Sequence, residues 1–190
     1  MTRARKALWS LLLLAVIGGL AAFGAYSAFS DTTSNTGNQF STGSLALGNN
    51  AVSPLYNVTN ANAGATSADH CIRIVYSGTL PVSVKVYRSA FSGGSTPNLS
   101  DYVTVTVTKG TGTQEDCSDF SGATSVYNGS LTAFATDWSS GLALTNGSGN
   151  AAWAPSDAVT YKFSAQVADD PGAEGLSTGT HSFTWEARSS

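Results

Sequence analysis

Residues Val103-Thr104-Val105-Thr106-Val107-Thr108 alternate valine and threonine without a break. On an extended chain, side chains two apart share a face, so this run has one apolar and one hydroxylated side. β-Branching on both sides disfavours a helix. A chain carrying such a run builds a sheet with one face turned to a core.

The same period recurs at Ile72, Ile74 and Tyr76, at Val82, Val84 and Val86, at Val159, Tyr161, Phe163, Ala165 and Val167, and at Phe183, Trp185 and Ala187. Ser77-Gly78-Thr79 and Pro81 separate the first two of these runs and predict a hairpin between them. Asn128-Gly129, Asn146-Gly147 and Asp169-Asp170-Pro171-Gly172 supply further turn signals. Helical spacing is confined to Leu131, Phe134, Ala135 and Trp138, and to a turn over residues 98–102 that Asn98 would cap. The expected fold is all-β: a two-sheet antiparallel β-sandwich of jelly-roll type with one or two short helical turns, preceded by an N-terminal signal helix.

With 190 residues there is room for one sizeable core. Charged residues make up 11% of the chain, but a 42% hydrophobic share provides enough apolar surface to offset the entropy of ordering. The net charge is −3, and no basic run follows the first six residues. Nucleic acid is therefore not an expected partner.

Arg3, Arg5 and Lys6 precede an apolar stretch over residues 7–29, the order of an export signal. Small side chains around Ser27 and Ala28 predict cleavage between them. The alternative is an uncleaved helix, which would be the chain's sole membrane attachment. Removing the three basic residues takes the net charge from −3 to −6. The expected divisions are a signal peptide at 1–27, an extended arm and first strand at 28–50, and the sandwich domain at 51–190. The expected location is outside the cell, in a matrix or at the cell surface.

Cys71 and Cys117 fall in the exported part, and an even count in an oxidising compartment predicts one disulfide; two free buried thiols are the alternative. Catalysis has little support. His70 and His181 are the chain's two histidines, and Asp69 adjoins the first, but no HExxH pattern joins them. These three are the weak candidates for a metal. Ser/His/Asp sets arise by chance in so Ser-rich a chain and point to no serine hydrolase, and the spacing of Asp169, Asp170 and Glu174 is not that of an EF-hand, so these three are expected to be a solvated turn. No cofactor is expected, and the chain is expected not to be an enzyme. Trp138, Trp153 and Tyr127 are the residues a glycan-binding platform would use, with core packing as the alternative for each.

Around the cleavage region, Ala28-Phe29-Ser30-Asp31 and Asn38-Gln39-Phe40-Ser41-Thr42-Gly43-Ser44-Leu45 resemble the signature of the TasA, CalY and camelysin group of bacterial surface proteins. Weaker similarity continues through the turn at 77–80, residues 97–107 and the closing strands at 159–188. Cys71 and Cys117 depart from the TasA pattern and suggest a disulfide-bearing branch. The resemblance implies an exported subunit of the matrix or envelope, released by a dedicated SipW-type signal peptidase. It also implies self-assembly into fibres, alone or with other matrix proteins, by donation of the amino-terminal strand to the next copy. The donor candidates are Ala28, Phe29, Ser30, Asp31, Phe40, Leu45 and Leu47; the alternative is that residues 40–47 form the first strand of their own domain. Two other functions compete with the building-block reading: a monomeric adhesion or glycan-binding module, and a camelysin-like metallopeptidase.

Overall fold

Each alternating run forms a strand in the computed structural model, which describes residues 43–57 and 59–189. In chain order the strands are β1 (Leu47–Asn49), β2 (His70–Tyr76), β3 (Val82–Arg88), β4 (Val103–Thr111) and β5 (Ser121–Ser130). There follow β6 (Leu142–Leu144), β7 (Ala152–Trp153), β8 (Ala158–Val167) and β9 (Phe183–Ser189). One sheet runs β1-β2-β8-β4-β5. In the other, β3 is central, with β6 and β7 along one side and β9 along the opposite side. All these pairings are antiparallel. The fold is the two-sheet sandwich that the alternation predicts.

Its core lies between the inner faces. Val103, Val105 and Val107 of β4 are buried there beside Tyr161 and Phe163 of β8, facing Val82, Val84 and Val86 of β3. Burying each such side chain stabilises the fold by about 1.5–3 kcal/mol before entropy is counted. Trp153 closes the far end, fully buried, its indole N–H donating to the Leu144 carbonyl at 3.1 Å.

Three sequence expectations are corrected. β2 and β3 do not form a hairpin; they belong to opposite sheets, and residues 77–81 arch between the layers. Both runs have buried inner faces, which two strands on opposite sides of one core satisfy as well as two neighbours in a sheet. The Tyr76 hydroxyl, donating to the Leu80 carbonyl at 2.6 Å, braces the arch. Residues 131–138 form turns rather than a helix: the Ala135 carbonyl accepts from the Arg88 amide of β3 at 2.8 Å, which draws the chain out of helical register. Asn128-Gly129 lies within β5, opposite Thr106 and Val105, and the true β4–β5 connection is residues 112–120.

The cap at Asn98 forms as expected: its side chain accepts from the Ser100 amide at 2.9 Å, at the start of a 3-10 turn over Leu99–Tyr102 that leads into β4. Asp170 likewise accepts from Gly172 at 2.7 Å and caps the turn Pro171–Ala173. Asn146 nucleates the turn after β6, its side-chain oxygen accepting from Ser148 and Asn150.

Candidate functional site

The side of the sandwich where β1 and β9 end their sheets is the candidate site. β1 pairs with β2 from Leu47 opposite Tyr76 to Asn49 opposite Ile74. The pairing continues before the strand, where the Ser77 and Thr79 amides donate to the Ala46 and Ser44 carbonyls, both at 2.9 Å. Among the described residues no strand pairs with the outer edge of β1, and none with the outer edge of β9. An unpaired edge presents backbone donors and acceptors to any extended segment that reaches it.

Between these two edges lies a cavity of about 440 Å³. Leu47, Leu55, Ile72 and Ile74 line it from the first sheet's side, Phe183 and Trp185 from the second. The Trp185 ring packs on Phe163 with centroids 5.9 Å apart, and its indole nitrogen is buried without a hydrogen-bond partner. A buried N–H left this way costs free energy.

Tyr56 and His181 stand at one end of the cavity, the phenol oxygen 2.5 Å from Nε2. Phe91 and Phe183 pack edge-on against the imidazole, at 5.1 and 5.7 Å between centroids. Burial lowers the His181 pKa, the Arg88 charge lowers it further, and the Gly179 backbone opposes both. Burial raises the Tyr56 pKa, with Arg88 acting against it. At neutral pH the pair is an uncharged phenol and an uncharged imidazole. Gly179, at φ +67°, turns the chain toward His181; a Cβ there would run into the backbone of Gly93. Pro54, Tyr56 and His181 also border a second cavity of about 540 Å³, floored by Val103, Leu131 and Val167.

Arg88 lies behind this cluster, 6% exposed. Backbone carbonyls hold its guanidinium: Nε donates to Leu131 at 3.0 Å, Nη1 to Ser89 at 3.0 Å and Nη2 to Thr132 at 2.9 Å. The Phe91 ring lies 4.2 Å beneath it. Three charge-assisted bonds and a ring face replace the water that a buried cation loses.

The metal candidates do not come together. Asp69 forms an ion pair with Lys162 at 3.0 Å, His70 begins β2 opposite Phe163, and His181 faces Tyr56. Among the described residues no three His, Cys, Asp or Glu side chains group to hold a metal ion. Cys71 and Cys117 are joined in a disulfide, which fits an oxidising compartment. Of the platform candidates, Trp153 is in the core, and Tyr127 packs on Phe134 at 4.7 Å. Trp138 lies within cation–π range of both Arg188, at 4.5 Å, and Lys85, at 5.2 Å.

Leu47 is half-buried against the core, and Leu45 is exposed at 47%. Both lie in the stretch that borders β2. Ser27, Ala28, Phe29, Ser30, Asp31 and Phe40 lie outside the described residues, as does the expected signal helix. No described helix is long and apolar enough to cross a membrane. The features that sequence reasoning missed are the cavity and the Tyr56–His181 pair. Phe183 and Trp185 were legible as an inward face, but a missing neighbour strand leaves no mark on a strand's own sequence.

No protein-family model matches the chain, and no curated protein matches it in sequence.

Proposed function

We propose that this protein is an exported structural subunit that assembles into fibres at the bacterial surface or in the extracellular matrix, each copy passing its amino-terminal arm to the next. The observation that carries the reading is the pair of edges left open among the described residues, β1 and β9, on either side of a cavity lined by Leu47, Ile74, Phe183 and Trp185 together with polar groups such as Asn49 and Thr184. An extended arm laid along either edge would complete backbone pairing, and its apolar side chains would fill the cavity. Transfer from copy to copy is head to tail, which generates an open filament rather than a closed ring. The arm's sparse apolar residues, Phe29 and Phe40 among polar neighbours, suit such a plug. Export and signal removal by a dedicated peptidase would free the arm, and the disulfide agrees with that route.

Electron microscopy of protein recovered from the culture medium, together with amino-terminal sequencing, tests the reading. Fibres and a start at Ala28 are the expected results. Deleting residues 29–38 behind an intact signal should leave a folded monomer. Unchanged fibres from the deleted form would reject strand donation.

A further inference from the structure

The loop that joins β4 to β5 does not stay at its own end of the sheet. β8 and β2 lie successively beyond β4, and residues 112–120 cross over β8 to reach β2. On the way, the Thr160 hydroxyl of β8 donates to the Gly112 carbonyl at 2.5 Å, and the Lys162 ammonium sits over the Phe120 ring at 5.7 Å. Cys117 then bonds to Cys71 at the start of β2, and the Cys71 amide donates to the Glu115 carbonyl at 2.8 Å. The loop's shape is set from within: Asp119 accepts from the Thr113 amide at 2.7 Å, the Thr113 hydroxyl at 2.8 Å and the Gln114 amide at 3.0 Å.

Beyond β2 the same loop grips the chain leaving β1. The Asn50 side-chain amide donates to the Thr113 carbonyl at 2.9 Å, and the Val52 amide donates to the Glu115 carboxylate at 2.7 Å. Asn50 completes the link by accepting from the Arg73 amide of β2 at 2.7 Å. β1 itself has three residues, of which Gly48 and Asn49 are exposed. So short an edge strand has little pairing of its own to resist displacement.

We infer that the Cys71–Cys117 loop is a clasp that keeps β1 in the sheet of its own molecule, so that a neighbouring copy exchanges only the residues that precede β1. The covalent bond prevents Glu115 and Thr113 from drifting away from Asn50 and Val52, so their hydrogen bonds re-form after each local opening. This rests on the strand-donation reading for its consequence, since it sets where the donated segment ends. The clasp itself is measurable without fibres.

Hydrogen exchange by mass spectrometry tests it on the full chain, dispersed in mild detergent. Wild type is compared with the Cys71→Ser/Cys117→Ser variant and with wild type opened by a dithiol. Residues 44–52 should exchange about tenfold faster or more once the bond is gone, a change corresponding to about 1.4 kcal/mol, while β4 and β8 keep their protection. Glu115→Gln should give a smaller acceleration over the same residues with the disulfide intact. An unchanged rate at 44–52 with the bond open overturns the clasp. So does an equal acceleration in β4 and β8, which would show that the bond holds the whole domain. An unchanged β1 rate beside arm-dependent fibres overturns the clasp and leaves the assembly reading standing; the reverse pair of results separates them the other way.

Discussion

At the scale of single residues, His181 has the sharpest consequence. Its folded-state pKa lies below the ordinary value of 6.5, chiefly through burial and then through the Arg88 charge. The unfolded chain therefore binds a proton that the native protein resists, and stability falls as pH drops below about 6.5. Urea midpoints measured between pH 7.5 and 5 should decline over that window, and His181→Gln should flatten the slope. An unchanged slope would mean that other groups set the acid sensitivity. Arg88 shows why part of the site was not legible in the sequence. It stands at the end of the alternating run of β3, at the position where an inward-facing apolar residue fits the pattern, and its partners are backbone carbonyls of Ser89, Leu131 and Thr132, groups that every residue carries and no side-chain pattern marks. Tyr56 is similar: a tyrosine in a loop gives no hint that an imidazole 125 positions later will meet its hydroxyl.

Strands were the legible elements, since period two depends on the burial of one face and on nothing farther away. The inner faces of β2, β3, β4, β8 and β9 all match their alternation. Connections were harder, because a short polar segment joins two strands in one sheet or in opposite sheets with much the same residues. The arch between β2 and β3 is the instructive case, read as a hairpin from Ser77-Gly78-Thr79 and built as a crossover. Its brace predicts that Tyr76→Phe, in a fully buried position, leaves the Leu80 carbonyl short of a partner and lowers stability by about 1 kcal/mol. Equilibrium denaturation checks this, and a change below about 0.3 kcal/mol would show that the arch is held by burial of the ring alone. The open edges of β1 and β9 were beyond sequence reasoning for a different reason, since they consist of pairings that are not made among the described residues.

For the whole molecule, charge would oppose the proposed assembly. Without its first three basic residues the chain carries a net charge of −6, and in the proposed filament every added copy would bring that charge close to its neighbours. Screening shortens the reach of this repulsion to about 8 Å at physiological ionic strength and about 3 Å in molar salt. Fibre growth, followed by light scattering, should therefore quicken as sodium chloride is raised; slowing would point instead to ion pairs between copies.

In the filament proposed above, a pull along its length would bring the crossing loop into play. Tension arriving along the chain at residue 43 acts first on the few backbone bonds between β1 and β2 and next on Asn50 and Val52. Behind these lies the sulfur–sulfur bond, which ties β2 to the β4–β5 hairpin, whose nearer strand lies two places across the sheet. In the proposed fibre the sheet would thereby be loaded as a unit instead of being peeled strand by strand, once the chain from residue 43 to Cys71 had been drawn out to at most about 100 Å.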